Sequence, residues 1–521
     1  MDTITEHNIS SLLLPTRADR LVIVLLCIAV YLVRTHYYHG LNKIPGPFVA
    51  GLTSLWKWNA VRREEMHTIS AELHDKYGPL VRIGPNHVSA SSAEAITVVH
   101  RARNGFTKAP MYGILQPKFE GSDLHNIFST QDPEYHAALK RTMGNLYTTS
   151  AVMPLEFHLD DCTKLFLSKM DQLIGTRKSA PVDLAGWLQY YTFDSLGMLN
   201  FSQKLGFLEA GVDLDGICHY DHDQMLYFAT WGQIATAERM WSKVKNYLTA
   251  KKENPLFHFV VKIIKERQEN PTDSVDMLNS FLALHNASPE KFTARDLLAA
   301  AYINVVTAHD VVAITLRGAV YYLARHPEVQ KKLQKEIVDM AEAGKLSTPA
   351  QYSEITTNMS YILAVTNETL RYHPSTGIIF ERVCPKGGVT LHGQYIPENT
   401  HVGVNAWVVN RDKSIFGEDA DAFRPERWIE SDPTAVTRMK MNLFTFGAGS
   451  RHCIGRNLAM MQLTKILVEL YRNYDIMLAN PEREWKVSGG WLTRQSDMDM
   501  IIGKRGSLLG GGGAAAAACL E

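Results

Sequence analysis

A cysteine set among glycines, directly ahead of an apolar helical stretch, constrains this chain more than any other feature. Residues 446–455 read FGAGSRHCIG, and residues 458–470 continue with the apolar spacing of a helix. A thiolate at Cys453 would receive backbone amide hydrogen bonds and the positive end of the helix dipole, which lower its pKa and suit it to bind iron. Glycines let the backbone turn tightly and come close to a bound group. Of the 6 cysteines, Cys27, Cys162, Cys218, Cys384 and Cys519 are scattered, with no Cys-x-x-Cys pair and no zinc spacing. That pattern argues against a disulfide framework and for a body that faces a reducing cytosol.

The body, residues 44–505, has no long linker, repeat or second apolar span and is expected to be one domain. A helical stretch over 64–77 leads to the alternating segment 80–91, LVRIGPNHVSAS, which predicts a hairpin turning at Gly84 and Pro85. Residues 135–343 carry helical periodicity, and short β-like pieces return over 388–404. The expected class is mainly α (α+β), a large helical domain with small β-sheets. Lys+Arg and Asp+Glu both count 54, so there is no basic excess to draw nucleic acid.

Residues 1–43 read as a membrane anchor with its flanks. The uncharged run 21–33, LVIVLLCIAVYLV, is extended by Leu12, Leu13 and Leu14, while Arg17, Arg20 and Arg34 can snorkel and Tyr31, Tyr37 and Tyr38 can sit at headgroups. One tilted transmembrane helix over 17–39 is expected. No small-residue cleavage site follows it, and Pro45 and Pro47 forbid its continuation, so an uncleaved anchor with a cytoplasmic body is the reading. The glycine- and alanine-rich tail, 506–521, is low in complexity and reads as a cloning remnant.

Two segments upstream of the cysteine loop complete a pattern. ETLR puts Glu368 and Arg371 at i and i+3 on one helix, and FRPERW supplies Arg427. With the loop, which matches Phe-x-x-Gly-x-Arg-x-Cys-x-Gly at every fixed position, the chain resembles the cytochrome P-450 family of haem-thiolate monooxygenases over nearly its whole body. The stretches KYGPLVRIGPNHVS and EYHAALKR resemble its fungal secondary-metabolism branch, which includes pisatin demethylase-like enzymes.

The resemblance implies haem b with Cys453 as the iron ligand, Phe446 packed near its sulfur, and Arg451 and Arg382 on haem propionates. His136, with Lys140 and Arg141, resembles the early helix that holds the other propionate. Glu368, Arg371 and Arg427 correspond to the structural triad beneath the haem. Substrate contacts by position fall in 106–126, 304–312 and 375–380 and around Trp491 and Leu492. Partners implied are a small-molecule substrate, O2, and an NADPH-dependent cytochrome P-450 reductase, with the enzyme on the endoplasmic reticulum membrane.

One motif departs from the family. Its members usually carry Ala/Gly-Gly-x-Asp/Glu-Thr over the distal haem face, where acid and alcohol relay protons. Here residues 307–311 read TAHDV: Asp310 keeps the acid, but Val311 replaces the alcohol and Ala308 the glycine. Valine has threonine's shape and cannot hold the relay water. Thr307, one turn earlier, is the candidate substitute, and its rival reading is a hydroxyl bonded back to its own helix. His309 is a further candidate set on a different face. The leading function is oxygen insertion into a small apolar metabolite. The alternatives are rearrangement, dehydration or oxidative coupling on the same haem, and ligand binding without turnover.

Overall fold

The computed structural model describes residues 17–37, 40–101, 105–177, 180–248 and 254–508. Leu12, Leu13, Leu14, Tyr38, Cys519 and most of the glycine- and alanine-rich tail lie outside them.

The apolar N-terminal run forms a helix, Arg17–Tyr37, with no buried residue. Its end is tied to the body by Arg82, whose guanidinium donates to the carbonyls of His36 at 2.8 Å and Thr35 at 3.2 Å. The proline hinge lies against the same residue: Arg82 N–H donates to Pro45 O, and a Cβ on Gly46 would stand 2.2 Å from Arg82 O. Only glycine fits there.

The predicted hairpin forms from Leu80–Gly84 and His87–Ala90, antiparallel, with Leu80 opposite Ala90. It is one edge of a five-stranded sheet that continues through His401–Val404, Phe380–Val383 and Thr107–Lys108. The last pairing sets Lys108 opposite Arg382. Most of the rest is helix, with four two-stranded sheets at its margins.

The central helix, Ala294–Arg325, starts at a capping box between Thr293 and Asp296 and stops where Pro327 follows. Among the described residues it is long and apolar enough to cross a bilayer, but 78% of its most apolar window is buried in the body, so it is a core helix. It packs most extensively on Leu184–Phe201 and also meets Ser360–Tyr372 and Arg456–Asn473. The central helix, Leu184–Phe201 and Arg456–Asn473 share a hydrophobic core with Trp491 and Leu492 at the turn of the C-terminal hairpin, Lys486–Gly489 with Thr493–Ser496, while Ser360–Tyr372 packs into a neighbouring core.

Candidate functional site

The helix Ser360–Tyr372 ends before Pro374, which disfavours a helical residue ahead of it. Glu368 and Arg371 face the interior and are 0% exposed; Arg427, from the turn Arg427–Glu430, is 1% exposed. Arg371 donates to Glu368 Oε2 at 2.8 Å and Oε1 at 2.7 Å, and Arg427 Nε donates to Oε1 at 3.0 Å. Trp428 Nε1 and the Arg424 amide also donate to the carboxylate, both at 2.9 Å. The spare guanidinium donors reach the carbonyls of Asn410, Ala420 and Ala422 from Arg371, and Asp419 from Arg427. Every charge in this buried knot is paired, which is what lets it persist away from water.

Asn410 and Thr445 connect the knot to the cysteine loop. Arg371 Nη1 donates to Asn410 O, while Asn410 Nδ2 donates to Thr445 Oγ1 at 2.9 Å and Asn410 Oδ1 accepts from the Phe444 amide. Beyond Phe444–Phe446 the chain reverses at Gly447, φ 68°, and Gly449, φ 64°, a region L side chains rarely enter. The glycines thus serve the turn itself. Cys453 N–H closes the loop on Phe446 O at 2.8 Å, and the helix Arg456–Asn473 begins three residues on.

Cys453 is solvent-accessible, yet enough protein crowds its sulfur to raise the thiol above its ordinary pKa. The Gly455 amide, Arg456 and Lys140 pull it down without prevailing. This corrects the expectation that amides and dipole alone lower it. A bound metal cation deprotonates a coordinating thiol outright, so iron would settle the balance.

The sequence-selected cations converge on this loop. His136 and Lys140 sit one turn apart on Pro133–Met143, a helix capped by Asp132. Lys140 Nζ donates to Ser450 O at 2.7 Å, and Arg451 donates to Thr130 O at 3.1 Å. Arg382 donates to the Tyr112 hydroxyl at 3.2 Å. His136 is buried, so it is no ordinary surface histidine, and burial together with Arg451, Lys108, Lys140 and Arg382 lowers it to about 3.

Lys108 belongs to this cluster although the sequence did not single it out. It is buried, donates to Phe128 O, and lies 4.1 Å from the Tyr112 ring centre. Burial first, then Arg382 and Arg451, holds its pKa well below the ordinary lysine value. Lys108, Arg382, Arg451, His136 and Lys140 crowd together without an ion-paired carboxylate among the described residues, a donor set that fits a dianionic group such as two haem propionates. With the accessible Cys453 sulfur alongside, the residues fit a haem.

The description Cytochrome P450 applies to a family model that matches residues 45–499. The chain belongs to the cytochrome P450 family. It is 34% identical to the cytochrome P450 monooxygenase pkfB of Emericella nidulans, covering 92% of this chain and 96% of that protein. It is 32% identical to cicH of the same organism, again over 92% of this chain and 96% of the relative. A third relative, mpaDE' of Penicillium brevicompactum, is 32% identical over 92% of this chain, which spans only 57% of that protein's length. As a P450 the chain is an oxidoreductase of a monooxygenase family.

In this P450 the motif acid and its candidate alcohol are not joined. Thr307 Oγ1 donates to Ile303 O at 2.7 Å, so its proton is committed to its own helix while its lone pairs can still accept. Asp310 is 0% exposed and turned to Arg494 of the C-terminal hairpin at 2.5 Å. His309 stacks on Phe193, ring centres 4.1 Å apart, and meets Gln189, away from the face that carries Thr307. Val311 and Ala308 join the apolar core that includes Ile378, Ile379, Trp491 and Leu492. Tyr112, Phe128 and Trp491 form an edge-to-face aromatic group at 5.8 to 6.2 Å. That group lies within or beside the stretches expected to meet substrate.

Proposed function

We propose that this P450 inserts oxygen into a small apolar secondary metabolite, with O2 and electrons from an NADPH-dependent reductase. The observation that carries the reading is the accessible Cys453 sulfur beside Lys108, Lys140, Arg382, Arg451 and the neutral His136, none of which has an ion-paired carboxylate among the described residues. In the proposed roles Cys453 binds the iron of haem b, while Arg382, Arg451, His136, Lys140 and Lys108 hold its propionates. Phe446 shields the sulfur, and Glu368, Arg371 and Arg427 hold the loop beneath the haem. When bound, the haem supplies oxygen activation, assisted by the thiolate's electron donation.

The chain's own work is to orient the substrate, exclude water and deliver protons. The apolar cluster of Val311, Ile378, Ile379 and Leu492, in stretches expected to meet substrate, supports an apolar substrate. Proton delivery has no side-chain alcohol at residue 311, so Thr307, water or a substrate hydroxyl must carry the final transfer from Asp310. Val311→Thr is expected to raise the fraction of NADPH electrons recovered in product severalfold and to lower hydrogen peroxide release. That outcome is read by assaying NADPH, peroxide and product together.

Val311 also motivates the second reading, rearrangement, dehydration or coupling without net oxygen insertion. Turnover independent of NADPH, with no effect of Val311→Thr, would favour it.

We further propose that the Arg17–Tyr37 helix anchors the enzyme in the endoplasmic reticulum membrane with its body in the cytosol. Support comes from the helix's exposed Leu21, Ile23, Leu25 and Leu26, each more than half exposed. Removing residues 1–37 should shift the protein from the membrane to the soluble fraction of a cell lysate; retention in the membrane would contradict the anchor.

A further inference from the structure

Where the central helix meets the helix Ile217–Gly232, a buried knot of charge goes beyond the distal motif. Asp310 Oδ2 accepts from Arg494 Nη2 at 2.5 Å, and the same nitrogen stands 3.4 Å from Asp221 Oδ2 on the neighbouring helix. The two carboxylates are 4% and 1% exposed and share one guanidinium, whose side chain is 20% exposed. A buried carboxylate without its own counter-charge takes up a proton instead.

Among the described residues no second cation bonds either acid, and Arg317 acts on Asp310 only through space. Arg317 spends its donors on Ala185 O and Gln189 Oε1. Gln189 therefore turns its amide nitrogen to His309 Nδ1 at 3.2 Å, which puts the ring's proton on Nε2 and leaves the imidazole neutral. That Nε2 lies 3.8 Å from Asp221 Oδ2 without a hydrogen-bond partner among the described residues, and burial lowers His309 to about 4. Tyr302 on the central helix and Tyr220 on Asp221's own helix face it as neutral phenols, held so by burial. Cys218, also on that helix, is a thiol raised by burial and offers only its carbonyl to Arg494. Glu64 and His222 face Arg494 at a partly exposed rim.

The short contact belongs to Asp310, so Asp310 is the anion and Asp221 carries the proton. Burial and the Asp310 charge push Asp221 up to about 8, whereas Arg494 holds Asp310 below its ordinary value against burial.

We propose that Asp221 stores a proton beside Asp310 and passes it to Asp310 during turnover, the two carboxylates sharing Arg494. The inference rests on the oxygen-insertion reading, in which one oxygen atom enters substrate and the other leaves as water, consuming two electrons and two protons. In the transfer the O–H bond of Asp221 breaks and one forms at Asp310. The Asp221 carboxylate then takes over Arg494, whose nitrogen already faces both acids, and solvent at the Glu64 and His222 rim restores the proton. Asp310 Oδ1, buried and without a hydrogen-bond partner among the described residues, is the oxygen from which the proton leaves toward Thr307, one helical turn away. Asp221 is thus a positioning residue acting through Asp310.

Asp221→Asn keeps the side chain's shape and removes its acidic proton. Infrared spectra of the haem-loaded wild type should contain the carbonyl band of a buried protonated carboxyl, fading as pH rises through about 8, and D221N should lack it. With NADPH and reductase, D221N should form about tenfold or more less product per NADPH, the electrons appearing as hydrogen peroxide. Asp221→Glu should restore most of the yield and serves as the folding control. Wild-type coupling should fall as pH rises through the same range, since the proton is present below it and lost above; D221N should show no such limb. Unchanged coupling in D221N, or a band that persists in it, overturns the proposal. An absent band in a wild type that oxygenates substrate overturns the proton assignment alone, whereas a band without oxygenated product overturns the transfer step together with the oxygen-insertion reading.

Discussion

Arg371→Ala is expected to give protein without bound haem, less stable by about 3 to 5 kcal/mol, because a buried carboxylate loses its fork-shaped partner. Arg371 makes both of its Glu368 contacts and reaches three backbone carbonyls from a position with no solvent access. Alanine would leave Glu368 with Arg427, Trp428 and the Arg424 amide, and would strand the carbonyls of Asn410 and Ala420, while Ala422 O keeps Arg427. Asn410 is the residue that also bonds Thr445 and Phe444 at the head of the cysteine loop, so the damage passes to the support of the proposed iron ligand. Arg371→Lys should fail as well, since an ammonium cannot reproduce the planar, five-donor geometry. Haem absorbance per protein and urea unfolding check this; normal haem content in Arg371→Ala would refute the supporting role.

Cys453→Ser should remove the thiolate-type carbon monoxide spectrum and lower product formation more than about a hundredfold, a loss that removing even an outer hydrogen-bond partner of a metal ligand can reach. Serine preserves the loop, because the contact that closes it is the backbone bond from residue 453 to Phe446 O. The effect should therefore be chemical, with helix content and unfolding midpoint of the haem-free protein almost unchanged. A variant that kept the thiolate spectrum would move the ligand elsewhere.

The parts of the site that were legible in sequence are those set by short spacing. The cysteine loop, the Glu368–Arg371 pair and the His136–Lys140 pair each lie within about one turn of helix or one loop, where residue order fixes geometry. The hairpin at Gly84 and Pro85 was legible for the same reason.

What escaped depends on contacts between distant segments. Lys108 sits in a two-residue strand, and only its register against Arg382 brings it among the site's cations. Asp221, Asp310 and Arg494 meet from two helices and a hairpin, with no shared motif. The Cys453 shift went the other way because amide donors can be read from a loop, whereas the protein mass that desolvates a sulfur cannot. Sequence leaves Thr307 between two roles because a rotamer decides between them; its hydroxyl points to Ile303 O.

The central claim is oxygen insertion, and one measurement tests it most directly. Haem-loaded enzyme is incubated with metabolite extract from a strain lacking it, and product masses are compared with and without NADPH, reductase and oxygen. The account predicts a product heavier by one oxygen atom that forms only when all three are present. A product of unchanged mass, formed without them, would contradict it and make this chain an isomerase built on a monooxygenase fold.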